Sequence, residues 1–352
     1  MTQSHRSAGA TPIRILQSFG TPGPRTNPYF TQLFASTPDA VQLPFSWRTA
    51  LFGRYDVLHL HFVDVVFVRK SRLKSIAGGI LFLILLLRAR LLRVAIVRTL
   101  HNTSTHEERH DAAQAIDRLC ARWTTLWIRL NRRSQPPRDA AVETIAHGDY
   151  RAWFSHWEHP ERRRGRILFF GLIREYKGVE HLISEFSSIA DETLELRIVG
   201  RPGSPALKAR IEEGQRADLR VSALLDYVDD ETLAAEIGQA QLVVLPYLDM
   251  HNSGAAILGL SLDRPILVPD NPLNVDLADE VGADWVQRYS GRLSADDLVA
   301  AVAATGGDAV AASHPDLSRR DWHVVGAEHT AAYRRAITIA SGPGHHARRY
   351  SE

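Results

Sequence analysis

Short apolar runs alternate with amphipathic helical stretches along the chain, most regularly in its second half. The runs are too short for helices and are bounded by glycine, proline or charged residues, as buried strands of a parallel sheet are. They lie at 167–170, 194–200, 220–225, 242–247 and 265–269. Helical patterns occupy the intervals near 179–186, 205–215, 229–240 and 253–262. Because parallel neighbours require helical crossovers, this order predicts an α/β fold with a doubly wound parallel sheet.

The first half of the chain shows the same alternation. Its predicted strands lie at 13–20, 56–62, 93–102 and 141–150. A helix is expected to begin near Asn27 or Pro28, and residues 112–133 predict one amphipathic helix in which Trp123 and Trp127, four apart, both face the core. The loop after the first predicted strand lacks the G-x-G-x-x-G spacing, so a nicotinamide or flavin cofactor is not supported.

The pattern divides the chain into two domains, and 352 residues are enough for two separate cores. A polar, arginine-rich stretch at 159–166 is the predicted link between them. The predicted boundaries are a disordered lead-in at 1–12, an N-terminal domain at 13–160, a C-terminal domain at 165–318, a helix crossing back to the N-terminal domain at 319–340 and a disordered tail at 341–352. The opening residues have no apolar core behind their charges, so no signal peptide is expected.

The net charge of +2 conceals two halves of opposite sign. Residues 1–160 contain 21 Arg and Lys against 11 Asp and Glu, a balance of +10, and the remainder contains 21 against 29, a balance of −8. A basic half indicates an anionic surface or acceptor, such as a membrane or a lipid diphosphate. Nucleic acid is not expected, because no recognisable binding motif accompanies the charge. The single cysteine, Cys120, excludes an internal disulfide and a cysteine-based zinc site.

One stretch, 69–93, is both strongly apolar and strongly basic. Its apolar centre at 76–87 is 12 residues long, shorter than the roughly 20 residues that span a bilayer. Seven cations flank this centre: Arg69, Lys70, Arg72, Lys74, Arg88, Arg90 and Arg93. Two interpretations stay open, a helix lying at a membrane interface and a buried crossover helix that leads into the next strand.

The stretch at 167–178 has the composition of an anion site. A short strand leads through a turn with two cations, Arg174 and Lys177, into a helix that opens at Gly178. Backbone N–H groups and the helix dipole point at such a turn, and the two side-chain charges add to them, so we expect it to bind a diphosphate. The alternative is that Arg174 and Lys177 are merely solvated turn charges.

A second turn, from Tyr247 to Gly254, follows the strand at 242–247 and lies at the same edge of the predicted sheet. Ligands bind doubly wound sheets beyond the carboxyl ends of the strands. Ser253 and Gly254 open a helix there and offer N–H groups to a second phosphate or a sugar.

Five motifs occur together in the second half in this order: FGLIREYKG, IVGRPG, YVDDETL, VVLPY followed by SG, and RPILVP. Together they resemble the donor-binding half of the GT-B glycosyltransferases, which are built from two Rossmann-like domains facing a cleft. The resemblance is strongest over residues 165–270. Bacterial exopolysaccharide and glycolipid transferases, including mannosyltransferases that use GDP-mannose, look most similar in the NPY, HN and SG turns.

The resemblance implies a glycosyltransferase that moves a sugar from a GDP- or UDP-linked donor to a glycan or lipid-linked acceptor. It implies no metal and no cofactor besides this substrate, with the two turn cations stabilising the departing diphosphate. It also implies a cytoplasmic enzyme, which residues 69–93 would hold at the inner face of the plasma membrane. The alternative is a non-catalytic subunit of the same shape that binds a nucleotide sugar or a partner in polysaccharide assembly. An epimerase or phosphorylase has no supporting motif.

Five further residues take a role from the resemblance alone. Gly20 matches the loop that faces the acceptor, with a plain turn glycine as the alternative. His101, at the end of the strand 93–102, matches a histidine that contacts the transferred sugar, and His147 matches a cleft-lining position that structural use would explain equally well. Tyr227 and Val228 match the backbone edge that reads the nucleotide base.

An inverting transferase needs a carboxylate to deprotonate the acceptor hydroxyl. Asp64, near the end of a predicted strand, and Glu107, after the next one, are the candidates, with a helix cap or surface charge as the alternative for both. Retaining members carry two glutamates near the SG turn, where this chain has Met250 and Leu258. This departure argues against a retaining mechanism.

Overall fold

The structure is a computed structural model of the chain. It describes residues 12–23, 26–68, 71–101, 111–137, 139–248, 250, 253–307 and 313–342. The chain forms two compact units. Unit 1 runs to Gly148 and resumes at Arg320, and unit 2 is Asp149–Arg319.

Each unit contains one sheet of six parallel strands. The strands of unit 1 are β1 (Ile13–Gln17), β2 (Ala40–Leu43), β3 (Val57–Leu60), β4 (Ala95–Leu100), β5 (Leu126–Arg129) and β6 (Val142–Thr144). Those of unit 2 are β7 (Arg166–Phe170), β8 (Glu195–Val199), β9 (Val221–Leu224), β10 (Leu242–Val244), β11 (Ile266–Pro269) and β12 (Val286–Tyr289). The predicted α/β class with two doubly wound parallel sheets is confirmed.

The described α-helices connect these strands. In chain order they are α1 (Pro28–Ser36), α2 (Trp47–Phe52), α3 (Val63–Phe67), α4 (Arg72–Leu91), α5 (Asp111–Trp123), α6 (Arg151–Phe154), α7 (Val179–Ser187), α8 (Pro205–Ala217), α9 (Asp230–Gln239), α10 (Gly254–Ser261), α11 (Pro272–Val281), α12 (Ala295–Thr305) and α13 (Trp322–Ser341). Short 3-10 helices lie at Glu175–Lys177, Ala283–Trp285 and Ser318–Arg320. Polar side chains cap several helix starts, as Asp229 does for α9 by accepting from the Thr232 N–H.

The sheet of unit 1 has the order β2-β1-β3-β4-β5-β6. Buried side chains pack in one cluster on each of its faces. Alternation along each strand separates two cores. In β3, Val57 packs in the core that α1 and α13 share, while Leu58 and Leu60 pack with the buried side of α4. The returning helix α13 therefore completes the core of unit 1, and Gly326 lets it approach the carbonyl oxygen of Ser36.

The sheet of unit 2 has the order β12-β11-β10-β7-β8-β9. The chain builds β7, β8 and β9 outward on one side and then returns to place β10 on the other side of β7. The order of strands reverses between β7 and β10, and such a switch point leaves a crevice at the carboxyl ends of the two strands. The apolar side of α7, at Val179, Leu182, Ile183 and Phe186, is buried against this sheet.

Two predicted elements are wrong in detail. Residues 112–133 are not one helix: α5 ends at Trp123, and Trp127 lies in strand β5. Thr124 and Thr125 separate the two, and the β-branched and aromatic run that follows favours a strand. The strand predicted at 141–150 is only β6, so His147 stands beyond its end.

The division between the units falls at Gly148, before the arginine-rich stretch at 159–166. Residues 149–160, assigned to the first domain by the sequence pattern, lie in unit 2. The physical reason is α6 and its flank, since Tyr150 and Phe154 are buried in the core of unit 2. The Tyr150 N–H also donates to Ser261 Oγ of that unit, at 2.9 Å.

Candidate functional site

The cationic turn of unit 2 lies at the switch point of its sheet. The turn follows β7, passes through the 3-10 helix that ends at Lys177 and reaches Gly178, whose φ of +68° is left-handed. A Cβ on Gly178 would collide with the carbonyl oxygen of Pro246, in the turn that follows β10. The Leu248 N–H donates to the Tyr176 carbonyl at 2.8 Å. The turns after β7 and β10 are therefore in direct contact, and glycine is required where they meet.

The loop after β8 joins the same place. The Ile173 N–H donates to the Arg201 carbonyl at 3.0 Å, and the Gly203 N–H donates back to the Ile173 carbonyl at 2.8 Å. Gly200 has a φ of +145°, and a Cβ there would collide with the Gly171 carbonyl oxygen. Three loops thus meet at one edge of the sheet, where glycines and loop-to-loop hydrogen bonds bring their backbones close together.

Lys177 and Arg174 bring positive charge to this edge. The Lys177 Nζ lies 4.9 Å from the ring centroid of Tyr247, a cation–π distance. Burial, together with the positive charge of Arg174, lowers the pKa of the Lys177 ammonium to about 8. The structure therefore brings three predicted residues, Arg174, Lys177 and Tyr247, to one place.

No carboxylate among the described residues pairs with Arg174 or Lys177. The nearest acids along the chain, Glu175 and Glu180, pair instead with Arg210. Two neighbouring cations without a carboxylate partner favour an anionic ligand, because each like charge raises the cost of the other. The arrangement can hold a diphosphate.

The other predicted residues of unit 2 lie on its strand-end loops. Ser253 caps α10 and accepts from the Ala256 N–H at 3.2 Å, and Gly254 is the first residue of that helix. Tyr227 follows β9 and is 61% exposed. Its own N–H donates to Asp226 Oδ1 at 2.7 Å, so a base-reading role would use its carbonyl or the N–H of Val228. These roles stay predictions.

In unit 1, His101 lies in a buried histidine cluster at the carboxyl ends of β3 and β4. Its Nε2 is 2.9 Å from Nδ1 of His61, and Phe62 stacks on its ring with centroids 4.8 Å apart. The ring of Tyr29 lies 5.6 Å from that of His101 and 4.7 Å from that of His147. The structure therefore brings His101 and His147 against one aromatic side chain.

Both histidines are neutral near pH 7. Burial, with a contribution from His147, lowers the pKa of His101 to about 3. Burial likewise lowers the pKa of His147 to about 4, although a hydrogen bond to the Gly148 carbonyl at 2.7 Å opposes the shift. A neutral imidazole donates through one nitrogen and accepts through the other. Near pH 7, therefore, neither ring serves as a resident cation.

The remaining predicted residues of unit 1 are less constrained. Gly20 follows β1, and a Cβ there would meet nothing within 4 Å, so packing within the protein does not require glycine. Asp64 lies in the first turn of α3, where a carboxylate suits the helix dipole. Glu107 lies outside the described residues. Their catalytic or binding roles stay predictions.

Sequence reasoning missed most of the histidine cluster. His59 and His61 stand two apart on β3 and its extension, so both face α1 and α13. The signal was present in the alternation LHLHF, which places two histidines on one buried face of a strand. Gln17 and His329 complete the cluster from β1 and α13, and only the fold shows that they meet.

Comparison with known proteins identifies the family to which this chain belongs. The profile of the family described as "Glycosyl transferases group 1" matches residues 164–303, which include all three loops of the cationic edge. Over 337 residues the chain is 43% identical to the GDP-mannose:glycolipid 4-beta-D-mannosyltransferase of Xanthomonas campestris pv. campestris, covering 94% of this chain and 95% of that relative. The chain belongs to the group 1 glycosyl transferases. The prediction of a glycosyltransferase is confirmed.

Solved structures agree on the fold of this glycosyltransferase. Anabaena HepE in complex with UDP has a TM-score of 0.57 at 12% identity, covering 94% of this chain and 96% of that one. The sucrose-phosphate synthase of Thermosynechococcus elongatus has a TM-score of 0.54 at 15% identity, again covering 94% and 96%. At these identities the likeness supports the GT-B fold and no finer property.

Proposed function

We propose that this glycosyltransferase transfers mannose from GDP-mannose to a glycolipid. The observation that carries the proposal is the 43% identity, across 94% of the chain, to a relative with that named activity. The strand-end loops of unit 2 that carry Arg174 and Lys177 would provide the anion site that a nucleoside diphosphate requires. The basic balance of residues 1–160 suits an acceptor that carries phosphate.

In this reaction an acceptor hydroxyl oxygen forms a bond to the anomeric carbon of mannose. The bond from that carbon to the diphosphate oxygen breaks, and the GDP that leaves keeps the electron pair. Negative charge therefore grows on the diphosphate in the transition state, where Lys177 and Arg174 would stabilise it without a metal ion. The acceptor hydroxyl gives its proton to a base, for which Asp64 and Glu107 are the candidates.

Replacing Lys177 by alanine tests the assignment. We expect Lys177→Ala to lose mannosyl transfer without lowering the melting temperature of the parent, because it removes a partly buried ammonium that has no carboxylate partner among the described residues. Lys208→Ala is the matched control, since Lys208 is an exposed helix lysine of the same unit that pairs with Glu212 at 3.7 Å. Transfer from GDP-mannose should persist in excess EDTA. Near-normal turnover by Lys177→Ala would remove the diphosphate assignment, and loss of transfer in EDTA would remove metal independence.

We also propose that transfer inverts the anomeric configuration. Met250 and Leu258 are buried and apolar, at the positions where the resemblance places the two glutamates of retaining members. Asn274 Nδ2 lies 3.5 Å from the Met250 sulfur, so this region is packed with side chains that carry no charge. Proton NMR of the product would show a β-mannoside, and an α-mannoside would contradict the proposal.

Helix α4 supports contact with a membrane, because it is apolar on two opposite sides. One side is buried in unit 1 and includes Phe82, Leu85 and Leu86. The other side is exposed: Leu73, Ile76, Ile80, Leu83, Ile84, Leu87 and Leu91 each expose between 36% and 79% of their surface. At 3.6 residues per turn these seven fall within an arc of about 100°. They form one continuous stripe, which we call the α4 stripe.

Cations border the α4 stripe on both edges. Arg72 and Arg90 lie on one side of the stripe, and Lys74 lies on the other, by the same helical geometry. Arg88 also lies on that second side, but its guanidinium donates to the Tyr55 hydroxyl and the Gly53 carbonyl of unit 1. The whole segment 69–93 contains no acidic residue. Among the described residues no helix has the length and apolar character to cross a bilayer. We propose that the α4 stripe lies on the anionic inner face of the plasma membrane, with its cations among the headgroups.

Vesicle binding tests this surface. We expect the enzyme to sediment with vesicles that contain phosphatidylglycerol more than with neutral vesicles, and Ile80→Asp with Ile84→Asp to abolish this binding. Leu219→Asp is the control, because Leu219 is a 95% exposed leucine of unit 2. Unchanged vesicle binding by the double variant, or a change in oligomeric state alone, would show that the stripe is covered by something other than lipid.

A further inference from the structure

The ammonium of Lys177 lies at the carboxyl ends of β7 and β10. A Cβ on Gly171, the first residue after β7, would come within 3.8 Å of the Lys177 Nζ. The Nζ also stands over the ring of Tyr247, 4.9 Å from its centroid, in the turn that follows β10. The ammonium therefore lies at the switch point of the sheet, next to both strands that border it.

The ring of Tyr247 is itself fixed by packing. Tyr247 is buried in the core of unit 2. Edge contacts join its ring to that of Phe169 in β7, with centroids 6.5 Å apart, and to that of Tyr176, with centroids 6.3 Å apart. The Leu248 N–H donates to the Tyr176 carbonyl at 2.8 Å, so the backbones beside these two tyrosines are also joined. A ring packed in this way presents its face to Lys177 at a fixed place.

The hydroxyl of Tyr247 does not explain this contact. It is buried and has no hydrogen-bond partner among the described residues, since Ser253 lies near it without the geometry of a hydrogen bond. A buried hydroxyl without a partner costs free energy. The favourable part of Tyr247 is therefore its aromatic ring.

The contact differs from other cation–π contacts of the chain in the absence of a carboxylate. Two other cations over aromatic rings also pair with an aspartate: Arg98 over Trp127 with Asp117, and Arg220 over Phe186 with Asp218. The Lys177 Nζ makes no ion pair or hydrogen bond with another described residue. A carboxylate would hold the ammonium and also cancel its charge, whereas the ring attracts a cation without carrying a net charge.

We propose that Tyr247 is a positioning residue whose ring face holds the Lys177 ammonium at the switch point without cancelling its charge, so that the N–H groups of Nζ can donate to a diphosphate. The contact between ring and ammonium stands on the geometry of unit 2, and its use on a diphosphate rests on the proposed function. Burial and the positive charge of Arg174 both disfavour the charged form of Lys177 and lower its pKa. The ring opposes both effects.

A replacement that changes only the electrostatics of the ring tests the contact. Tyr247→Phe keeps the ring and removes the hydroxyl, so we expect it to leave the pKa of Lys177 and the affinity for GDP unchanged. Pentafluorophenylalanine at position 247, introduced by amber suppression, keeps the ring shape and reverses the sign of the charge on its face. This ring should weaken the hold of Lys177 on its proton about ten-fold, the size of a partly desolvated cation–π contact.

The expected loss of GDP affinity follows from the pKa of Lys177. At about pH 8 the charged fraction of Lys177 should fall from about one-half to about one-tenth in the fluorinated protein, relative to Tyr247→Phe. The affinity for GDP at this pH should therefore fall about five-fold. Melting temperatures of the two proteins should agree, because the two rings fill the same space.

Carbon NMR of the enzyme with 13C at the lysine Cε measures the pKa of Lys177 without any donor. The chain has four lysines, at positions 70, 74, 177 and 208, so the Lys177 signal can be assigned by its loss in Lys177→Arg. Pentafluorophenylalanine in place of Tyr289, a buried tyrosine at the end of β12, is the matched control. We expect this control to change neither the pKa of Lys177 nor the affinity for GDP.

Equal pKa values of Lys177 in Tyr247→Phe and in the protein fluorinated at position 247 would overturn the proposal. So would a lowered pKa with unchanged GDP affinity, because the ring would then serve the fold alone. A loss of GDP affinity in Tyr247→Phe as large as in the fluorinated protein would assign the role to the hydroxyl and also contradict the proposal. The expected pKa change in an enzyme whose wild type fails to bind GDP would instead reject the proposed function and leave the contact between ring and ammonium standing.

Discussion

Raising the pH through about 8 should weaken the binding of GDP, because Lys177 loses its charge in the free enzyme. Burial and the positive charge of Arg174 lower the pKa of its ammonium to about 8. A bound diphosphate places negative charge beside the ammonium and favours the protonated form, which raises the pKa in the complex. Above the pKa of the free enzyme, binding must therefore take up a proton, and this uptake weakens the affinity.

The magnitude follows from that pKa. With a free-enzyme pKa of about 8 for Lys177, about nine-tenths of the ammonium is charged at about pH 7 and about one-tenth at about pH 9. The affinity for GDP should fall about ten-fold between these values, which is about 1.4 kcal/mol of binding free energy. At about pH 8, half of the sites must gain a proton, so GDP binding should take up about half a proton.

Isothermal titration of GDP in two buffers of different ionisation enthalpy measures both quantities. Lys177→Arg is the control, because a guanidinium stays charged across this range and the nucleotide titrates identically with both proteins. We expect the variant to lose the pH dependence and the proton uptake. The role of the Lys177 charge would be refuted if the wild type took up almost no proton at about pH 8. It would also be refuted if the affinity for GDP changed equally with pH in the wild type and in Lys177→Arg.

Two further predictions concern stability in unit 2. Glu236 pairs with Arg166 at 2.5 Å and with Arg197 at 2.6 Å. Glu236→Gln leaves these two guanidinium groups without their shared carboxylate, so it should lower the free energy of unfolding, measured by urea titration, by roughly 3 kcal/mol. A loss below about 1 kcal/mol would mean that solvent reaches the ion pairs. Gly178→Ala should cost more stability than Gly291→Ala and should also weaken GDP binding, because both glycines have left-handed φ but only at Gly178 would a Cβ collide with another turn. Equal losses at the two glycines would contradict the contact between the turns.

Much of unit 2 could be predicted from the sequence, because its strands are short, wholly apolar and separated by helices with clear stripes. The run 167–170 became β7, and the cations placed beyond it do lie at the carboxyl edge, close to Tyr247. The apolar pattern of the strands was enough to predict the position of this loop. In a doubly wound sheet the strand order reverses at a point set by the order of strands along the chain, and the loop lies at that point. The elements at 272–281, 286–289 and 295–305 gave weaker patterns and were not predicted.

The structure of unit 1 was harder to predict from the sequence, for two physical reasons. Trp123 and Trp127 have helical spacing, yet they lie on a helix and a strand, because two threonines and a β-branched run outweigh the spacing. The polar cluster around His101 draws Gln17 from β1, His61 from the end of β3 and Tyr333 from α13. In this cluster the Tyr333 hydroxyl lies 2.9 Å from His59 Nδ1, and the two residues are 274 positions apart in the chain, so no local pattern could have predicted the contact.

Some cations of unit 2 are paired with carboxylates, whereas Arg174 and Lys177 have no carboxylate partner among the described residues. Arg166 and Arg197 share Glu236, and Arg220 is held by Asp218 at 2.8 Å. Arg264, which lies near Arg162, has no carboxylate in an ion pair among the described residues, but its guanidinium donates to the Gly238 carbonyl. Arg174 and Lys177 have no carboxylate partner among the described residues, and burial, with the charge of Arg174, makes the charged form of Lys177 less favourable and lowers its pKa. A diphosphate at this edge would remove that cost, and this is why we propose that the edge binds the group that departs in the reaction.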